Sequence, residues 1–292
     1  MKSNISQKDI NSGKKIIDKL LVKNPRLLPF YLQQTIQKYK RFIPDIKKYG
    51  LWIDNKSFSK KIKYDKIIFL ASGLAAAGKD SIYGRMVNLS PNLFHKTITA
   101  TSRLPRKDET NEVDYFFYTT EKFLKLLKNN EFLEFLKRGD SYYGLPKKSI
   151  DFAFNQSKPV IYCQIEMSGW PRLEKYIKSK YKNTLIIKEF IMPDMSISEY
   201  VEWLKTERAN EDLESRINKS GWEIQKAAVK ANIILTNRIR KNVPTLDYLA
   251  KTVINQIIEL GNLNMPKFKL PTDKLISTQK IDQIILDHDN LE

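Results

Sequence analysis

Cysteine is almost absent: Cys163 is the only one in 292 residues. A lone thiol closes no internal disulfide, and its place in the apolar run PVIYCQI marks it as a buried core side chain rather than a nucleophile. Histidine is nearly as scarce, with His95 and His288 alone, so zinc centres and histidine-based triads lack their material. No apolar run approaches the roughly 18 residues of a membrane helix, and the opening MKSNISQKDINSGKK lacks the continuous apolar centre of a secretory signal. The expectation is a soluble chain with no membrane partner, in a reducing compartment, by default the cytoplasm. Acidic residues are also in deficit, 33 against 51 Lys and Arg, for a net charge of +18. The deficit concentrates in residues 1–64, with 16 basic residues against 4 acidic ones. Such a surplus attracts nucleic acid or an acidic surface through counterion release; a solvated lysine face is the alternative.

What is present is enough for one α/β domain with additions. Residues 1–63 read as a basic helical extension, because NSGKKIIDKLLVKN and RLLPFYLQQTIQKYKRF space apolar residues at helical intervals. The first convincing core strand is Lys66–Ser72. From there strand-like stretches (FHKTITAT, DYFFYTT, EFLEFLK, PVIYCQIE, TLIIKEFIM, ANIILTN) alternate with helical ones up to Leu260. Continuous apolar strands separated by helices imply a mostly parallel sheet covered on both faces. A domain over 64–261 is expected, followed by an arm over 262–292 that carries Pro266, Pro271 and the amphipathic stretch KIDQIILDH.

Gly73 and Gly78–Lys79 satisfy Gly-x4-Gly-Lys, after a strand and before a helix. Backbone N–H groups of such a loop cradle phosphate oxygens together with the positive end of the next helix, and the lysine reaches the outer phosphates. Ala75, Ala76 and Ala77 keep the backbone approachable. Asp80 stands where a magnesium-binding hydroxyl is usual. A carboxylate is also a hard oxygen ligand, and the helix dipole together with the metal offsets its charge beside the phosphates. Ser81 caps the helix or takes over part of the hydroxyl's work.

Downstream, TITATSRLPRKDETNEVDYFF packs Thr99, Arg103, Arg106, Glu109 and Tyr115 into 17 residues, followed by Glu134 in EFLEFL, Tyr143 in SYYGLP and Glu166 in QIEMSG. In order and spacing these resemble the guanylate kinase family over roughly residues 64–260. The resemblance implies a three-layer P-loop nucleoside monophosphate kinase fold with an acceptor-binding region at 97–146 and a lid at 204–218. It implies transfer of the γ-phosphoryl of ATP, with Mg2+, to GMP or dGMP. Arg103, Arg106, Tyr115 and Tyr143 then hold the acceptor phosphate, planar guanidinium forks suiting a doubly charged group, and Glu109 belongs to the same substrate-binding set. Glu134 and Thr99 contact the acceptor base. Asp80 and Glu166 position the metal, Arg208 and Arg216 are lid arginines at the transferring phosphate, and Asn237 lies near the adenine of ATP.

Three positions depart from the family pattern. Leu145 replaces a base-reading hydroxyl, Gln164 replaces an aspartate, and the Gly-Lys-Asp-Ser loop ending resembles that of the ribose bisphosphokinases. They keep two alternatives open. One is a kinase for another phosphorylated acceptor, a ribose bisphosphate or a different nucleotide; the other is an inactive guanylate-kinase-like binding scaffold.

Overall fold

The computed structural model describes residues 51–53, 63–193, 197–207, 213–237 and 245–270. The helices expected in the first 50 residues, Arg208 and the stretch KIDQIILDH lie outside them. In chain order the described elements are β1 (Leu51–Ile53), β2 (Lys66–Gly73), α1 (Lys79–Leu89), β3 (Phe94–Lys96), β4 (Thr99–Thr101), β5 (Tyr115–Phe117), α2 (Thr120–Lys128), β6 (Phe132–Arg138), β7 (Ser141–Pro146), α3 (Lys147–Phe154) and β8 (Val160–Gln164). They continue with α4 (Trp170–Lys180), β9 (Thr184–Pro193), α5 (Ile197–Glu207), α6 (Leu213–Lys230), β10 (Ile233–Asn237) and α7 (Thr245–Leu260). The described chain divides into two compact units, one of residues 51–53, 73–89 and 188 onward, the other of residues 63–72 and 90–187.

In the second unit β2, β8 and β3 run parallel, with Ile67 opposite Val160, Ala71 opposite Gln164, and Phe94 opposite Val160. Ile67 to Ala71 and Val160 to Cys163 are all buried, as strands covered on both faces require. A separate four-stranded sheet, in the order β5-β4-β7-β6, carries the acceptor motif. FHKTITAT, expected as one stretch, is two strands: β3 pairs with β8, whereas β4 pairs with β5 and β7. The break falls at Thr97 and Ile98, whose amides go to the Tyr162 carbonyl and the Ser149 hydroxyl instead of to one continuing ladder.

α2 starts where Thr119 accepts from the Lys122 amide, with Glu121 in its first turn and Lys125 and Lys128 in its last, in accord with the helix dipole. Its Phe123 stacks on Phe132 at 4.3 Å, closing a small core with Ala100. A β-bulge between Phe132 and Glu134 breaks the alternation of β6. It buries both Phe132 and Leu133 and sets Glu134 opposite Leu145.

In the first unit β9 and β10 are parallel, Glu189 facing Ile233, and β1 adds an antiparallel edge to β10. Leu51–Ile53 therefore corrects the helical expectation for 1–63 at its end: Leu-Trp-Ile is a bulky apolar triplet that gains ladder partners on the edge of β10. Arg85 of α1 is paired with Asp247 of α7. Behind α7, the Asn255 side chain donates to the Phe268 carbonyl and accepts from its amide, so the first part of the expected arm folds back on this helix.

Candidate active site

β2 ends at Gly73, whose φ of 153° and contact with β9 exclude a side chain: a Cβ there would lie 2.2 Å from the Ile191 carbonyl oxygen. The Leu74 amide donates to that same carbonyl at 2.9 Å, tying the loop to β9. Gly78, at φ 80°, is equally constrained, since a Cβ would sit 2.4 Å from Asn237 Nδ2. Ala76 takes the left-handed conformation, φ 56°, without being glycine, at a cost on the order of 1 kcal/mol. α1 then begins at Lys79, with Asp80 and Ser81 exposed in its first turn. The first N–H groups of a helix have no intrahelical partner, so this turn is suited to an anion.

Side chains hold five successive loop carbonyls. Lys79 Nζ donates to Gly73 O at 2.9 Å and Leu74 O at 2.8 Å. The Tyr200 hydroxyl donates to Ala75 O at 3.1 Å, Trp203 Nε1 to Ala76 O at 3.1 Å, and Asn237 Nδ2 to Ala77 O at 3.0 Å. Asn237, expected near adenine, is thus buried against the loop itself.

In the second unit the Arg103 guanidinium makes two 2.6 Å hydrogen bonds to Glu109 and lies over the rings of Tyr115 and Phe117 at 5.1 and 5.6 Å. Glu109 also accepts from the Arg106 amide at 2.8 Å, while the Arg106 side chain is exposed. The guanidinium and that amide hold the Glu109 carboxyl down at about 2, and the same pairing raises Arg103 further above its ordinary value. Tyr115 meets Tyr143 edge-on, their ring centres 6.4 Å apart, and faces Thr99 in the β4–β5 register. Arg103, Tyr115 and Tyr143, expected together, are together.

Glu134 lies against Gly169: a Cβ on that glycine would be 3.0 Å from both Cβ and Cδ of Glu134. Leu145, opposite Glu134, is fully buried. Gln164 Oε1 is buried with no hydrogen-bond partner among the described residues, the state a ligand group would relieve. Cys163 is buried as expected, its thiol pushed up to about 12 by desolvation. Glu166, just beyond β8, accepts from Arg138 at 2.8 Å, and the Arg138 guanidinium also lies 5.9 Å from the Tyr143 ring centre. Arg216 sits half-buried on α6.

Among the described residues no three His, Cys, Asp or Glu side chains gather into a metal cage. Asp80, expected as a metal ligand, is exposed in the first turn of α1, and Glu166, expected with it, is half-buried in the second unit. Among the described residues no helix is long and apolar enough to cross a membrane.

Three contact-making residues carry no motif signal. Arg138 is a basic residue before a hairpin turn, and Tyr200 and Trp203 are an aromatic pair three apart on a helix; what each touches depends on distant segments.

Residues 63–248 match the family model described as guanylate kinase. The chain is 31% identical over 189 residues to the guanylate kinase of Aster yellows witches'-broom phytoplasma (strain AYWB), covering 65% of this chain and 80% of that protein. It is 30% identical over 186 residues to the guanylate kinase of Wolbachia pipientis wMel, covering 62% and 88%. The solved guanylate kinase of Anaplasma phagocytophilum aligns with 67% of this chain and 86% of its own, at 20% identity and a TM-score of 0.45.

Proposed function

The chain belongs to the guanylate kinase family, and from that footing we propose that it transfers the γ-phosphoryl group of ATP, with Mg2+, to GMP or dGMP, giving ADP and GDP or dGDP. Membership makes it a phosphotransferase of the nucleoside monophosphate kinase class. The observation that carries the proposal is the arrangement around Arg103, a guanidinium locked by Glu109 over Tyr115, which in turn meets Tyr143. Two tyrosine hydroxyls and an arginine fork suit a doubly charged monophosphate.

In this account the loop amides and Lys79 hold and neutralise the donor phosphates. Arg103, Arg106, Tyr115 and Tyr143 hold the acceptor phosphate, Glu109 orients Arg103, and Thr99 and Glu134 meet the acceptor base. Arg208 and Arg216 bring positive charge to the transferring group. When bound, Mg2+ neutralises and orients the phosphate oxygens, with Asp80 and Glu166 as its protein carboxylates. Phosphoryl transfer of this kind rests on positioning and charge, so no side chain is required as a strong base.

The test is ADP release by the purified protein across nucleoside and sugar phosphates, with and without magnesium. Turnover confined to GMP and dGMP supports the proposal. A second reading, a kinase for another phosphorylated acceptor, is favoured by buried Leu145 opposite Glu134 and by the amide at Gln164. Preference for another acceptor in the same panel selects it.

A further inference from the structure

The loop has alanines where glycines would give backbone freedom, and one of them, Ala76, has φ 56°. Something outside the loop must hold that shape. On one side of the first unit, α5 presents Tyr200 and Trp203 one turn apart, and they donate to the consecutive carbonyls of Ala75 and Ala76, both at 3.1 Å. From β10, Asn237 donates to the next carbonyl, Ala77 O, at 3.0 Å. We propose that Tyr200, Trp203 and Asn237 form a clamp that positions the donor loop, fixing its carbonyls outward so that its amides face the donor phosphates. This rests on the loop being the donor site.

The physical link is the planar trans peptide, in which a carbonyl and the following N–H point in opposite directions. Holding the carbonyls of Ala75, Ala76 and Ala77 on the clamp side turns the amides of Ala76, Ala77 and Gly78 the other way. The Ala77 amide is used within the loop, donating to Leu74 O at 3.3 Å. Those of Ala76 and Gly78 join the first-turn amides of α1 as anion donors, the concave amide arrangement that binds phosphate oxygens. The donors are dependable. Indole N–H is donor only, and Tyr200, buried to 6% exposure, has its phenol raised above the ordinary value mainly by desolvation, so it keeps its proton. The Tyr200 oxygen also lies 3.4 Å from Ser220 Oγ, which itself donates to the Arg216 carbonyl at 2.8 Å. α5 and α6 are therefore joined at the point where the loop is held.

Tyr200→Phe removes its donor and keeps the ring, whereas Trp203→Phe removes its donor and exchanges the indole for a smaller phenyl ring, a packing loss that the thermal melts report. Binding of ATP with magnesium and of GMP is measured separately by calorimetry on the full chain, alongside Lys79→Ala and thermal melts. Each Phe variant is expected to weaken ATP binding about 5- to 10-fold, the worth of one buried hydrogen bond, and the pair more than either alone, with GMP affinity within about twofold of the parent. If Lys79→Ala loses ATP binding while both Phe variants bind ATP like the parent, the clamp is refuted and the donor site stands. If ATP and GMP affinities fall together, the aromatic residues act only on overall stability and the clamp is again refuted. If Lys79→Ala binds ATP as well as the parent, the donor assignment fails and the clamp with it.

Discussion

The carboxylate of Glu109 grips the guanidinium of Arg103 through two 2.6 Å hydrogen bonds, six residues along the same loop. Arg103 is thereby fixed as a planar surface over Tyr115 rather than left as a mobile surface cation. Glu109→Gln keeps the shape and removes the charge, so the acceptor KM should rise about 10-fold, in line with loss of a charge-assisted pair, with the ATP KM unchanged. The carboxyl titrates near 2, below its unfolded value near 4.5. Its contribution is therefore complete above about 4.5 and is lost only as pH falls through about 2. The ratio of variant to parent acceptor affinity should stay constant from pH 5 to 8, and a ratio that changes across this range would show that the pair is not the source of the effect.

Arg138 and Glu166 form a partly exposed pair, 46% and 21% accessible, so its loss should cost stability less than about 1 kcal/mol. Arg138→Met is nevertheless expected to raise the acceptor KM about 3- to 10-fold, because the guanidinium spans from Glu166 to the face of Tyr143. Steady-state kinetics with each substrate varied in turn check this. An unchanged acceptor KM would reduce Arg138 to a surface ion pair.

Leu145→Thr places a hydroxyl opposite Glu134 in the β6–β7 register. The site is fully buried, so unfolding free energy should drop by about 2–3 kcal/mol through lost packing and polar burial. The rate ratio of GMP to AMP should rise. A falling or constant ratio would remove position 145 from acceptor selection.

The motifs were legible because local chemistry demands them: a strand, a tight glycine turn and a lysine at a helix start, then two arginines and a glutamate at fixed offsets. What escaped depends on partners far away in the chain. FHKTITAT has one continuous β propensity, yet its halves join different sheets. Leu51–Ile53 is too short to declare itself without β10. The resemblance puts Asn237 near adenine, whereas its burial against Gly78 and Ala77 comes from the close approach of β10 to a glycine. Tyr200 and Trp203 look like the apolar stripe of an amphipathic helix, and only the loop that they face reveals their polar ends.

Glu189 offers a stability test away from the site. It is buried in β9, its Oε1 without a hydrogen-bond partner among the described residues, and desolvation raises its carboxyl to about 8. The unfolded chain releases this proton near 4.5 and the folded chain near 8, so between these values the folded state binds more protons and stability declines as pH rises. The slope is at most about 1.4 kcal/mol per pH unit; the neutral group's contribution is complete below about 4.5 and gone above about 8. Glu189→Gln stays neutral, and its stability advantage in urea melts should grow from pH 5 to 8 and then level off. Parallel pH curves for parent and variant would contradict this.

Following ATP and GMP with magnesium by 31P NMR, for the parent and for Lys79→Ala, probes both proposed grips at once, a donor polyphosphate at the loop ending in Lys79 and an acceptor monophosphate at Arg103. The parent should give stoichiometric ADP and GDP, with no reaction without magnesium and at least a roughly 100-fold slower reaction in the variant. A folded parent that phosphorylates no nucleoside monophosphate, or a Lys79→Ala protein that turns over at the parent rate, would contradict these assignments.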